Sequence, residues 1–254
     1  NEIVPGLTTD VKVTYLNQKI KNKPRLGDNG VTNEALIMPR DMSPEELKNF
    51  ESINAETLQP QPLYWTNSSF FQNPYWDVYR TSLNEERNRI MLVGSVKYQL
   101  TDWLFAQGRY SLDRYDDKIT GAFHEGTLPV PTLSGGRYQE NHVNRWERNI
   151  DFLLSGTNEI GTDFGVSYNV GAALLNNNGY NTQSLANGLR IPNMFDLNFA
   201  STPAFANIVA EKEIQSVYGS ATLNYQEKLF LDVTARNDWS STLPAPHSYF
   251  YPSF

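Results

Sequence analysis

Between Phe164 and Asn176 the chain alternates in steps of two: Val166, Tyr168, Val170, Ala172 and Leu174 form one set, and Gly165, Ser167, Asn169, Gly171 and Ala173 form the other. Successive side chains of an extended strand point to opposite faces, so this period makes one face apolar and leaves the other small or polar. The pattern recurs. Leu229, Leu231, Val233 and Ala235 stand against Asp232, Thr234 and Arg236, and Val217, Ala221, Leu223 and Tyr225 against Ser220, Thr222 and Asn224. Leu92, Val96, Tyr98 and Leu100 alternate with Ser95, Lys97 and Gln99; Leu104, Ala106, Tyr110 and Leu112 alternate with Gln107, Arg109, Ser111 and Asp113. Shorter versions occur at Val11, Val13 and Tyr15 and at Ile150, Phe152 and Leu154. These segments predict about seven strands, near 9–17, 87–100, 103–115, 143–156, 162–176, 212–226 and 229–238, most of them longer than the ~5–6 residues of an ordinary soluble strand.

The connections fall into two kinds. Leu100-Thr101-Asp102-Trp103, Thr157-Asn158-Glu159-Ile160 and Gln226-Glu227-Lys228 read as tight turns, whereas residues 18–85, 116–142, 177–210 and everything after Trp239 read as long loops. Short and long connections alternate along the chain, so every turn falls at one end of an up-and-down antiparallel sheet and every long loop at the other. Outer-membrane β-barrels have this layout, with short periplasmic turns and long extracellular loops. The expected fold is therefore all-β, a segment of an antiparallel up-and-down transmembrane β-barrel.

Composition agrees with that reading and excludes others. Aromatic residues make up 13% of the chain, with 14 Tyr, 13 Phe and 5 Trp, and such rings favour strands and membrane–water interfaces. They gather near the strand ends: Trp103 and Phe105, Tyr225 and Phe230 by the turns, and Trp76, Tyr79, Tyr115, Trp146 and Trp239 toward the loops. No stretch reaches the ~18 apolar residues of a transmembrane helix, a test that alternating strands escape. The net charge of -7 and the lack of a Lys/Arg run argue against a nucleic-acid partner. Absence of Cys removes disulfides, thiolate metal sites and thiol catalysis. Asn1-Glu2-Ile3-Val4-Pro5-Gly6 is unlike a signal peptide, which leaves a mature start or an excised piece as the expectation.

In the first long loop, Ser43-Pro44-Glu45-Glu46 reads as an N-cap, a proline at the first helical position and a capping-box Glu, with Met42 placed to staple onto Leu47. It predicts a short helix over 44–51. Loops this long without other structure are usually functional, which points to ligand capture or contact with a lid.

Enzymatic motifs are missing. His124, His142 and His247 are scattered, no phosphate-binding Gly loop, Gly-x-Ser-x-Gly elbow or His-Glu-x-x-His helix occurs, and Asp113, Asp116 and Asp117 lack EF-hand spacing. No cofactor, metal or catalytic residue is expected. The better candidates are polar side chains on the face opposite the apolar set: Lys97, Arg109, Asp113, Asp151, Asn169, Asp232 and Arg236. In a barrel they face the lumen or a plug; the alternative is a ladder of ion pairs that only holds the wall together. Substrate contacts are expected from the loop aromatics Tyr64, Trp65, Phe70, Phe71, Tyr75, Trp76 and Tyr138, because sugar faces and peptide side chains both stack on rings.

Asn73-Pro74-Tyr75-Trp76, Arg87-Asn88-Arg89 leading into a strand, and Trp103-Leu104 opening the next resemble the middle of a SusC/RagA-type TonB-dependent transporter. The stretch Leu231-Asp232-Val233-Thr234-Ala235-Arg236-Asn237-Asp238-Trp239-Ser240-Ser241-Thr242-Leu243-Pro244, with Ser248-Tyr249-Phe250-Tyr251-Pro252-Ser253, is similar to that family's strand-and-loop motif. The resemblance runs from about residue 73 to the C-terminus, while residues 1–72 match by pattern alone. It implies a 22-stranded barrel of a Gram-negative outer membrane, importing glycans or peptides. It further implies a cap formed by a SusD-like surface lipoprotein, and energy from TonB through an N-terminal part, with its plug, that this chain lacks. About seven strands then form a piece of the barrel wall. Two other readings remain: a soluble β-sandwich carbohydrate-binding module, whose apolar face packs on a second sheet, and a secreted polysaccharide-degrading enzyme, which needs a carboxylate pair that does not stand out here.

Overall fold

The computed structural model describes residues 2–27, 29–67, 71–129 and 134–254. Strand β1 (Glu2–Val4) turns at Gly6, whose φ of 80° suits a residue without Cβ, into β2 (Leu7–Ile20). A long insertion follows, with helices α1 (Val31–Ile37) and α2 (Pro44–Lys48), a small hairpin of β3 (Glu51–Ile53) and β4 (Pro60–Pro62), and helix α3 (Pro74–Arg80). The wall then resumes as β5 (Thr81–Thr101), β6 (Leu104–Phe123), β7 (Arg137–Ile160), β8 (Phe164–Leu189), β9 (Ala200–Tyr225), β10 (Leu229–Ser240) and β11 (Ser248–Ser253).

Among the described residues, nine strands form one antiparallel sheet in the order β1-β2-β5-β6-β7-β8-β9-β10-β11, and each sequence neighbour in it is also a spatial neighbour. Residues directly opposite each other across a ladder share a face. One such row runs Tyr98, Ala106, Leu154, Val170, Gly219 and Ala235 from β5 to β10. The next runs Val96, Gly108, Phe152, Ala172 and Val217. Among the described residues nothing covers this face: Val11 is 70% exposed, Phe152 53%, Val170 55% and Leu231 55%. A sandwich would lay a second sheet over them, but the other sheet is the two-stranded β3–β4 hairpin. The buried apolar side chains Trp76, Leu128, Ala186 and Leu189 all lie at the loop end, so the dry core sits there and not across the wall.

The strands outrun the alternation that marks them. At ~3.3 Å per residue, β8 and β9 each reach ~85 Å, whereas ~9–11 residues suffice to cross a hydrocarbon layer. The outer halves of β5, β6 and β7 carry polar residues on the otherwise apolar face, such as Asn88, Asp116 and Asn144 in one row and Glu86, Lys118 and His142 in the next. With both faces polar, the period of two fades, and the sequence reads as loop. Hence residues 18–85, 116–142 and 177–210 shrink to connections over 21–80, 124–136 and 190–199. Residues after Trp239 are a further difference: a turn over 241–247 leads into β11, a strand with the consecutive aromatics Tyr249, Phe250 and Tyr251 that pairs antiparallel with β10. The helix expected over 44–51 ends at Lys48, with both bonds of its capping box formed between Ser43 and Glu46 (2.7 and 3.1 Å).

Candidate functional site

Two regions concentrate polar chemistry: the non-apolar face of the sheet, and the layer of connections at its outer end. On the sheet face, Arg109 Nε and Nη2 donate to Asp151 Oδ1 at 2.9 and 2.6 Å, and the Tyr218 hydroxyl donates to Asp151 Oδ2 at 2.6 Å. Tyr218 reaches Asp151 by lying across Gly171; a Cβ there would sit 2.4 Å from its ring. Arg89 forks onto Asp113 (2.8 and 2.5 Å), and Arg87 onto Asp117 (2.7 Å twice) while stacking over the Tyr115 ring at 4.9 Å. Paired planar forks of this kind fix geometry as well as charge. Farther along, Arg236 donates to Asp238 and Ser216, Thr222 donates to Asp232, and Asn169 donates to Ser220. The Lys97 ammonium lies 3.9 Å from the centre of the Phe105 ring.

At the outer end, the local sequence 72–77 explains much of the geometry. Asn73 caps α3 through the Tyr75 amide (3.0 Å), Pro74 occupies the first helical turn, and the Asn73 side-chain amide donates to the Leu47 carbonyl. The helix so started drives Trp76 into the interior, where it is fully enclosed and its Nε1 donates to Thr127 Oγ1 at 2.9 Å. Residue 128 is gripped on both sides: its amide donates to Gln72 Oε1 (2.7 Å), and its carbonyl accepts from Arg25 Nη2 (3.0 Å). Arg25 Nη1 also donates to Asp77 at 2.8 Å. The third connection joins through Asn193, which donates to Gln59 and accepts from the Glu125 amide.

This layer shifts several titrations. Desolvation, reinforced by nearby Asp77, pushes the enclosed Glu34 carboxyl up to about 8, although the Gln72 amide donates to its Oε1. Desolvation raises Asp77 to about 6 against the pull of Arg25. Burial lowers His124, whose Nδ1–H donates to the Arg80 carbonyl at 2.8 Å. Glu51 is held below the usual carboxylate range by the Arg80 fork (2.6 and 2.7 Å).

The residues singled out from the sequence are placed as follows. Lys97, Arg109, Asp113, Asp151, Asn169, Asp232 and Arg236 share the sheet face opposite the apolar rows, spread along it in separate groups of bonds. Of the loop aromatics, Tyr64 donates to the Gly126 carbonyl (2.7 Å), Trp65 stacks on Phe71 and donates to the Gln72 carbonyl, and Tyr75 stacks with Phe50 and Tyr79. Trp76 is an interior anchor with no exposed surface. Tyr138 pairs with Ala122 on the other face of the sheet, beside Glu140. Phe70 lies outside the described residues. Sequence reasoning missed Arg25, Glu34, Gln72, Asp77 and Arg137. None belongs to a periodic pattern, and they meet only through connections distant in the chain. Among the described residues, no group of His, Cys, Asp and Glu is arranged to hold a metal ion, and no helix is long and apolar enough to cross a membrane, which leaves strand crossings untouched.

No protein-family model and no curated protein sequence matches the chain. Solved structures that share its fold include the RagAB peptide transporter, at a TM-score of 0.75 and 14% identity over 99% of this chain and 28% of that one. The RagAB peptide importer also matches, in its open-open state (TM-score 0.74) and its closed-closed state (0.73), with the same 14% identity and the same coverage of 99% and 28%. The chain thus spans 28% of the length of the structures it matches. At this identity the likeness carries the fold, an antiparallel β-barrel segment.

Proposed function

We propose that the chain is a stretch of the wall and outer connections of a SusC/RagA-type TonB-dependent importer in a Gram-negative outer membrane. The observation that carries the proposal is the asymmetry of the sheet: uncovered apolar rows on one face of every long strand, and a net of ion pairs on the other. Hydrocarbon satisfies the first face and an aqueous interior the second, and closure into a barrel of about 22 strands leaves no edge in the bilayer. In this reading Lys97, Arg109, Asp113, Asp232 and Arg236 line the interior and hold the wall in register. Tyr64, Trp65 and Tyr75, with Tyr138 on the outer rim, offer rings to a glycan or peptide or to a SusD-like surface lipoprotein. Trp76 serves by fixing the layer that carries them. Energy from TonB enters through a part of the protein outside this chain. The likeness to structures described as a peptide transporter, and the resemblance of the 73–76 and 231–253 stretches, support the same assignment.

Cysteine labelling of the full-length protein in its membrane tests this. Val170→Cys and Phe152→Cys are expected to react with a lipid-dissolved maleimide and to resist a charged one, and Ala173→Cys and Ser95→Cys the reverse. Equal access of the charged reagent to both sets sinks the proposal, as does wild-type uptake of oligosaccharides and peptides that is indifferent to loss of TonB.

A further inference from the structure

A cavity of about 160 Å³ lies where the outer end of the wall meets the inserted layer, lined by Arg25, Phe123, His124, Leu128, Gly136 and Arg137 among others. Phe123 and Arg137 are directly paired across β6 and β7, on the face that carries the ion-pair net. Both guanidiniums lie near one ring and line the same cavity, Arg25 at 6.0 Å and Arg137 at 5.9 Å from the centre of Phe123.

The two arginines differ in what compensates them. Arg25 has Asp77. Among the described residues Arg137 has a single hydrogen-bond partner, the neutral Gln139 Oε1 at 3.2 Å, and its Nε is buried with no acceptor. Among the described residues no carboxylate forms an ion pair with Arg137: in the layer beside it Glu51 is taken by Arg80 and Asp77 by Arg25, Glu34 retains its proton at neutral pH, and Glu125 accepts from the Gly135 amide. His124 is neutral and its Nδ1–H is taken by a carbonyl, so it supplies no negative charge. A guanidinium cannot shed its proton to relieve this situation, and a half-buried cation with a buried, unpaired Nε gains from an anion beside it. Desolvation alone lowers the Arg137 pKa, with no carboxylate opposing it.

We propose that this cavity is a binding site for a carboxylate, received between Arg137 and Arg25 against the Phe123 ring. The inference deepens the importer reading and rests on it: a carboxylate is the group shared by a peptide C-terminus or acidic side chain and by an acidic sugar. A planar carboxylate matches the fork of a guanidinium, and the cavity leaves room for the group and a short stem. Phe123 walls one side and keeps water away from the pair, which strengthens the attraction.

The test uses the full-length protein in detergent and four probes: acetyl-trialanine with a free C-terminus, its C-terminal amide, galacturonate and galactose. Calorimetry is expected to give a Kd at least tenfold lower for one acid, or for both, than for its neutral counterpart. Preference for the tripeptide acid assigns the site to peptides, and preference for galacturonate to acidic sugars. Arg137→Gln is expected to abolish the preference, and Arg137→Lys to keep part of it, since it retains the charge without the fork. Acid and neutral probes binding alike to the wild type, no binding of any probe, or a preference that survives Arg137→Gln would each overturn the inference. If Arg137→Gln fails to fold, the wild-type acid-against-neutral comparison and Arg137→Lys still decide. Equal binding alongside TonB-dependent uptake sinks the carboxylate site alone; uptake that ignores TonB sinks the importer reading.

Discussion

Glu34 is enclosed with one oxygen, Oε2, lacking a partner among the described residues, and burial, reinforced by Asp77, raises its carboxyl from an ordinary 4.5 to about 8. The sign of the consequence follows from proton counting. Between these two values the packed layer keeps a proton that an opened layer releases, so packing is strongest below about 4.5 and weakens as pH rises toward 8. Asp77 acts in the same direction but finishes earlier, between 3.8 and about 6. Above pH ~6.5 the fall belongs to Glu34, opposed at the start of the range by His124, whose lowered pKa acts in the other direction and fades as pH rises past the free imidazole value of 6.5. Hydrogen exchange of residues 21–80, corrected for its intrinsic pH dependence, should lose protection by up to ~10-fold per pH unit between 6.5 and 8. Glu34→Gln, which copies the protonated acid, should flatten that loss. Protection that is constant or rising over this range would show that Glu34 is ionised in the packed layer.

Strand pairs depend on fit across ladders as much as on pattern along them. Gly171 is the clearest case, because the Tyr218 ring lies over it on the way to Asp151. Gly171→Val should drive the ring off, break its bond to Asp151 and destabilise the β8–β9 pairing by roughly 1–3 kcal/mol, the range of an overpacked site. Tyr218→Phe in that background should then cost little more, since the hydrogen bond is already gone. Heat-induced loss of the compact form on an unboiled gel measures both. At the same scale, helix α2 was readable because Ser43 and Glu46 form a local motif, whereas α1 starts at Gly30 with no side-chain cap, and nothing in its sequence announces it.

For the molecule as a whole, the two faces of the wall should answer to charge in opposite ways. Val170 lies midway along the apolar stretch of β8, and Ala173 faces Asp151 on the other side. An arginine at the centre of a lipid-facing band costs about 2–4 kcal/mol, and one in an aqueous interior much less. Val170→Arg should therefore reduce assembled barrel in the membrane, while Ala173→Arg leaves assembly near wild type. Equal losses would mean that both faces are buried in protein.

The alternation in residues 164–176 and its repeats determined the β class, the orientation of each strand's two faces and the up-and-down order, because a period of two is a local property of extended chain. Short turns such as Gln226-Glu227-Lys228 settled the pairing of neighbours in the same way. The face shared by Arg109, Asp113 and Arg236 was equally legible, being set by parity alone. The tertiary structure decided the rest. Strands continue beyond the apolar band because backbone pairing persists after side-chain contrast has gone, and no local signal records it. Arg25, Glu34, Gln72, Asp77 and Arg137 come together by closure of connections as much as 103 residues apart, so the raised carboxyls of Glu34 and Asp77 and the cavity between Arg25 and Arg137 depend on burial. Which loop aromatic is an anchor and which is exposed followed from the same packing: Trp76 and Tyr79 stand three positions apart on α3, one fully enclosed and the other 63% exposed.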